Sequence, residues 1–190
     1  MSQKVARVPA DEARRRILAA TRALLLDRPF AALTVSDVMD KAGLTRTVFY
    51  RHFDDLAQMA PELLPDVDDP RVDQIQRGAP EDLIATMVGG QVALYAEHGR
   101  LLRAIDAAAA SDVEVARQLD RALVGPRLVL ERLVAEAPHP PPNPREFALL
   151  LMATHRAYLL DTFGSGVATR RRRREATAAL TALWLRLLAE

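Results

Sequence analysis

Residues 33–53, Leu-Thr-Val-Ser-Asp-Val-Met-Asp-Lys-Ala-Gly-Leu-Thr-Arg-Thr-Val-Phe-Tyr-Arg-His-Phe, constrain this chain more than any other stretch. They read as two short helices joined by a tight turn at Gly43. Thr34 stands where an N-cap belongs, because its hydroxyl can accept a free amide of the first turn. Val35, Val38 and Met39 follow as an apolar stripe at helical spacing. Lys41-Ala42-Gly43 ends that helix, with Gly43 free to take the left-handed conformation. Thr45 reads as a second cap, and Val48, Phe49 and Phe53 give the next helix its buried side. Arg46, Thr47, Tyr50, Arg51 and His52 are left facing outward or at the edge. An exposed row of basic, hydroxyl and aromatic donors is what a helix needs to lie in a DNA groove. Two of these readings have a plainer alternative: Thr34 and Thr45 are good caps with or without DNA, and Tyr50 can pack on Phe53.

Charge supports the same end of the chain. Residues 1–53 hold ten Lys/Arg and five Asp/Glu, a net +5, while the remainder holds 16 basic and 20 acidic residues, a net −4. A basic end on an acidic body suits a polyanion partner at the N-terminus only, and a solvated basic first helix accounts for the charge equally well. There is no cysteine, which excludes disulfides and thiolate metal sites and is compatible with a reducing compartment. Met1 to Ala10 lacks the apolar stretch of a secretory signal, and every apolar run breaks well short of the ~20 residues of a membrane span. The expected location is the cytoplasm, with no membrane partner. His52, His98, His139 and His155 are scattered and form no ligand set. No Ser/His/Asp set, Gly-rich phosphate loop or facing carboxylate pair is present. Neither a cofactor nor an enzyme is expected.

Helical patterns fill the rest. Met1 to Ala10 reads as a loose basic arm. Asp11 opens a helix to about Asp27, with Ile17, Leu18, Ala20, Thr21, Leu24 and Leu25 inward and Arg28-Pro29 as its stop. Asp54-Asp55 start a fourth helix that cannot run through both Pro61 and Pro65. Asp66 to Ala79 is polar and acidic, a joint. Pro80 opens a helix to about His98, stopped by Gly99. Gly89-Gly90 inside it costs about 1 kcal/mol per Gly and marks a kink, a close crossing or a ligand approach. A short helix follows over Leu101–Ala110. Ser111-Asp112-Val113-Glu114 reads as a capping box for a helix to about Ala137, bent at Gly125-Pro126. Asn143-Pro144-Arg145-Glu146 restarts a helix to about Phe163 with cap, N1 Pro and N3 Glu in order. The last helix runs from about Arg170 to Leu188. No strand pattern and no repeat is found. The fold class is all-α with about nine helices, divided into residues 1–53 as a helix-turn-helix head with its arm, 54–79 as fourth helix and joint, and 80–190 as a body.

This layout resembles the TetR family of one-component transcriptional regulators. The matching residues are Arg16-Ile17-Leu18-Ala19-Ala20, Leu33-Thr34-Val35-Ser36-Asp37-Val38, Ala42-Gly43-Leu44-Thr45, Phe49-Tyr50 and His52-Phe53. Arg103–Ala116 and Trp184 are faintly similar to the ethionamide-regulator branch. The resemblance implies a DNA-binding head whose third helix enters the major groove, and a body that forms a homodimer and holds a small-molecule effector. Thr34, Thr45, Arg46, Thr47, Tyr50 and His52 fall where family members contact phosphates or base edges. Arg46 is the candidate for base readout, since its fork matches the guanine edge. Tyr50 and His52 are assigned to phosphates, with Lys4 and Arg7 reaching from the arm. Two features depart from the family: Leu56 stands where a phosphate-binding Lys is usual, behind Asp54 and Asp55, and Pro61 and Pro65 cut the helix that links head to body. The function implied is a repressor released from a palindromic operator by a largely apolar effector. The alternative is a constitutive or architectural DNA-binding protein with no effector.

In the body, Phe147, Leu151, Thr154, His155, Tyr158, Thr162 and Phe163 share a broad helix face. Met87, Gln91, Tyr95, Ile105, Met152, His155, Tyr158 and Trp184 are the candidate pocket walls, apolar with a few polar groups. A packed core with one satisfied His and one satisfied Tyr is the alternative. Ala176, Leu180, Leu183, Trp184, Leu187 and Leu188 repeat at helical spacing and suit a dimer seam. Arg170–Arg174 before them read as a solvated helix start or a partner for the acidic body, ahead of a nucleic-acid patch.

Overall fold

The computed structural model describes residues 8–65 and 80–188. The basic arm with Lys4 and Arg7, and the acidic joint Asp66–Ala79, lie outside the described residues. Those described are helical, with no strand. They comprise α1 Ala10–Leu25, α2 Val35–Ala42, α3 Arg46–Phe49, α4 Ala60–Leu63, α5 Pro80–Ser111, α6 Val113–Ala122, α7 Val124–Ala135, α8 Pro144–Phe163 and α9 Arg170–Leu188, with a 3-10 turn at Phe30–Ala32. Two compact units result: the chain up to Leu64 with Ala104–Leu119, and Pro65–Arg103 with the chain from Asp120 on.

In the first unit α1 packs on α2 and α4, and α2 on α3. The inward face of α1 is Ala13, Ile17, Ala20, Thr21, Leu24 and Leu25. Leu18 is only half-buried. Phe49, Met39 and Met59 are among the largest wholly buried side chains. Pro65 and the first-turn position of Pro61 hold α4 to four residues. Asp54 and Asp55 start no helix. Instead their carboxylates hold a turn: Asp55 accepts the Gln58 amide at 2.8 Å, and Asp54 accepts the Gln58 side chain at 3.0 Å.

The second unit packs α7 on α8 and α8 on α9. Asn143 caps α8 as its sequence predicts, accepting the Glu146 amide at 3.3 Å. Thr169 caps α9, accepting the Arg172 amide at 3.2 Å. Arg170–Arg174 are exposed. Arg171 faces Glu175 at 3.6 Å, and Arg172 reaches the Thr162 carbonyl at 3.4 Å.

Three sequence-based boundaries are corrected. Gly99 does not stop a helix: α5 runs unbroken for 32 residues, and the short helix expected at Leu101 is its continuation. Gly99 is there for space, because a Cβ on it would run into the Phe163 carbonyl. Ser111 is not a cap. It ends α5 and turns its hydroxyl back to the Ala107 carbonyl at 3.0 Å. The cap is Asp112, whose Oδ1 accepts the Glu114 and Val115 amides at 2.9 and 3.1 Å. The break between α6 and α7 falls at Leu123 rather than at Gly125-Pro126. Pro126 has no N–H to give the carbonyl four residues back, that of Ala122, so α6 ends there.

Glycine substitutions should separate these roles. Gly99→Ala is expected to destabilise by about 1–3 kcal/mol through overpacking against fixed backbone. Gly89 is open, since a methyl group there would meet nothing within 4 Å. Gly89→Ala should therefore gain up to about 1 kcal/mol. Urea denaturation of both variants reads the opposite signs.

Candidate functional site

The turn at Gly43 builds the site. Gly43 takes φ +65°, and its amide and that of Leu44 return to the last turn of α2. Thr34 caps the other end of α2 in a full capping box. Its hydroxyl accepts the Asp37 amide at 3.1 Å, and Asp37 Oδ2 accepts the Thr34 amide at 2.9 Å. The Thr34 hydroxyl also donates to Asp37 at 2.5 Å. The Thr34 hydroxyl and amide hold the Asp37 carboxyl below its usual range, with help from Arg28 at 3.1 Å. The acidic partner was legible as Thr-x-x-Asp, a relative of the Ser/Thr-x-x-Glu box.

Thr45 is a cap by position only: its side chain accepts no hydrogen bond from α3. The helix after it is also shorter than the sequence implies. Regular α3 ends at Phe49, and residues 50–53 continue as tight turns, with the His52 amide bonding the Phe49 carbonyl at 2.8 Å. Phe49 is wholly buried and anchors this segment. Tyr50 rests edge-on against Phe49, ring centres 5.4 Å apart, rather than on Phe53, and is 54 % exposed. Thr45, Arg46, Thr47, Tyr50 and Arg51 form one exposed strip, with Thr34 exposed across the turn and His52 half-buried beside Phe53.

Much of the basic charge beneath this strip is engaged inside the unit. Arg14 makes a fork with the Glu62 carboxylate, with Nε to Oε2 at 2.8 Å, and lies over the Phe53 ring at 4.6 Å. Arg16 donates to the Ala42 carbonyl at 2.6 Å, closing α2. Arg22 donates to the Glu62, Leu63 and Leu64 carbonyls at 2.7, 3.2 and 3.1 Å, closing α4. The net +5 is therefore not a uniform DNA-facing charge. Lys41, Arg46 and Arg51 are exposed and make no ion pair among the described residues. Sequence offered no sign of the Arg14, Arg16 and Arg22 contacts, which join residues 26 to 48 positions apart.

The candidate pocket residues of the body are placed unevenly. His155 and Trp184 meet: the Trp184 Nε1–H donates to His155 Nδ1 at 3.1 Å, with rings 5.7 Å apart and perpendicular. Tyr95 is buried, Met87 and Met152 are half-buried, Gln91 is exposed and Tyr158 is 38 % exposed. Ile105 is buried and belongs to the first unit, whereas the other seven belong to the second. An open groove of about 660 Å³ in the second unit is lined by Ala85, Ala178, Thr181, Leu185 and the Arg173–Arg174 pair, and by none of the eight. Burial pushes the His155 imidazole down to about 4.

A glycine-turned helix pair, held on a buried aromatic and presenting an exposed strip of Thr, Arg and Tyr, is a helix-turn-helix arrangement, the geometry with which a helix can enter a DNA groove. Residues 17–63 match the family described as bacterial regulatory proteins, tetR family. That match covers the helix-turn-helix segment, about a quarter of the chain, and over it the chain is similar to the TetR family of regulators. No curated protein matches it. Solved structures share its fold. A transcriptional regulator from Rhodococcus sp. RHA1 aligns over 90 % of this chain and 95 % of its own, at 19 % identity and TM-score 0.66. NalD, the secondary repressor of the MexAB-OprM multidrug efflux pump in Pseudomonas aeruginosa, aligns over 94 % and 96 %, at 20 % identity and TM-score 0.61. A second TetR transcriptional regulator from Rhodococcus sp. RHA1 aligns over 93 % and 97 %, at 18 % identity and TM-score 0.56. At these identities the likeness is one of fold. None of the three bears on the ethionamide-regulator branch, which stays an expectation from Arg103–Ala116 and Trp184.

The depressed His155 value fixes a pH dependence. The unfolded chain takes up a proton near pH 6.5 and the folded chain only near 4, so this contribution to stability is complete above 6.5 and is lost as pH falls toward 4. The loss is at most about 3 kcal/mol. Denaturant midpoints of the native chain should drop between pH 7 and 4.5 by more than those of His155→Gln, which has no imidazole to titrate.

Proposed function

We propose that the chain is a repressor that binds a palindromic operator as a homodimer and releases it when a small, largely apolar effector enters the body. The observation that carries the DNA half is the exposed strip from Thr45 to Arg51 on its buried Phe49 anchor. Arg46 reads a base edge, since it is exposed and its guanidinium fork matches guanine O6 and N7. Tyr50, Thr47 and His52 hold phosphates. Thr45 joins them, because its hydroxyl is not engaged as a cap. Thr34 contributes through the helix it caps, its hydroxyl being committed to Asp37. Exposed Leu150 and Tyr158 on α8 and Leu183 and Leu187 on α9 favour a seam between two copies. Two copies of α3 would then meet half-sites about one DNA turn apart. Such a regulator works on the chromosome in the cytoplasm. No described helix is long and apolar enough to cross a membrane.

Fluorescence anisotropy on the DNA flanking its own gene tests this reading, and absence of a specific complex at moderate salt would count against it. Arg46→Ala should cost about 1–3 kcal/mol on the cognate site and relax discrimination at one base pair. Tyr50→Phe should weaken cognate and random DNA alike. If both variants bind as the native chain does, α3 is not the reading helix.

A constitutive binder is favoured by one observation: α4 is only four residues long and is tied to α1 through Arg14 and Arg22. A thermal shift screen with apolar compounds separates the two readings. A ligand that binds only the folded state raises the melting temperature by mass action, so the effector reading expects a concentration-dependent rise.

A further inference from the structure

His155 is 9 % exposed, and its Nε2 is buried with no hydrogen-bond partner among the described residues. The proton on that atom follows from its neighbour. An indole N–H is a donor only, and that of Trp184 points at His155 Nδ1 from 3.1 Å. Nδ1 therefore accepts, and a neutral imidazole then carries its proton on Nε2. Burial keeps the ring neutral down to about pH 4. The perpendicular ring contact at 5.7 Å holds its orientation. α8 thus keeps an uncharged N–H donor, fixed in tautomer and direction, on a helix whose adjoining turns carry the buried Leu151 and Leu159. A buried donor without an acceptor is costly, and folded proteins retain few of them.

We propose that the His155 Nε2–H anchors the effector site of the body, and that the effector is a neutral, largely apolar molecule with one hydrogen-bond acceptor, a ketone, ester or ether oxygen. This rests on the effector reading above and gives that effector its chemistry. A pure hydrocarbon leaves the donor unpaired. A carboxylate brings a charge that a neutral imidazole does not balance. Trp184 is a positioning residue: it touches the ring, and its N–H selects which nitrogen faces the ligand.

The test uses the full chain labelled with ¹⁵N at histidine and titrated with acetophenone, methyl benzoate and anisole. α-Methylstyrene, which replaces the ketone oxygen of acetophenone by CH₂, is the control. The free protein is expected to show His155 as the Nε2-protonated tautomer, and Trp184→Phe to show a mixture of the two. At least one oxygen-bearing probe should move the His155 ring signals, and acetophenone should bind at least about tenfold more tightly than α-methylstyrene, since a site built around a polar group rejects the isostere that lacks its partner. That preference should vanish in His155→Phe and survive in His155→Gln, whose amide can still donate. An Nδ1-protonated ring, three probes that leave the ring unmoved, or equal binding of ketone and alkene would each overturn the proposal. Anisotropy on operator DNA separates it from the reading beneath it. Probes that engage His155 and leave DNA affinity unchanged sink the effector reading and keep the site. Probes that loosen DNA with no preference over α-methylstyrene sink the site and keep the effector reading.

Discussion

The exposed Thr45–Arg51 strip of this protein depends on guanidinium groups that never reach it. A helix end leaves its last carbonyls without intrahelical donors. In the first unit those carbonyls are supplied from α1: Arg16 serves Ala42 at the end of α2, and Arg22 serves three carbonyls at the end of α4. Arg14 adds the charge-assisted fork to Glu62 and covers Phe53. These groups lie on one helix, so a single rigid element sets where α2 stops, where Gly43 turns and where the chain leaves α4. The Thr45–Arg51 strip is therefore presented by a frame, although α3 itself is barely one helical turn.

That division of labour changes the meaning of the basic N-terminal charge. Structural arginines sit half-exposed against carbonyls and a carboxylate, while Lys41, Arg46 and Arg51 stand clear. Asp37, which would repel a phosphate at the start of α2, is neutralised in part by Arg28 and engaged by Thr34. Charge counting treats all of these alike, and only their partners distinguish frame from contact.

The body is organised on a different principle. Its interior is apolar side chains drawn from α5, α7, α8 and α9, and the buried polar pair of His155 with Trp184 lies among them. In that setting an imidazole is kept neutral by the cost of burying its charge. An ordinary hydrogen-bond donor thereby becomes directional and permanent over the physiological range.

Local chemistry made much of this legible in advance. The helix-turn-helix follows from Thr34, Gly43 and the spacing of Val38, Met39 and Phe49, each acting within a turn or two of itself. The α8 start follows from Asn143-Pro144 in the same way, and the all-helical class from periodicity. What failed did so mostly where a neighbour distant in sequence decided. Gly99 reads as a stop, and it is instead where α5 admits the backbone of Phe163. Ser111 reads as a cap, although Asp112 next to it was better placed to accept two amides. The sequence by itself determined the class of fold and the exposed strip of Thr, Arg and Tyr after Gly43, because caps, glycine turns and apolar stripes act over a few residues. Only the tertiary structure decided which arginines are committed to carbonyls and which nitrogen of His155 carries its proton, because both depend on partners that folding brings from 26 to 48 residues away.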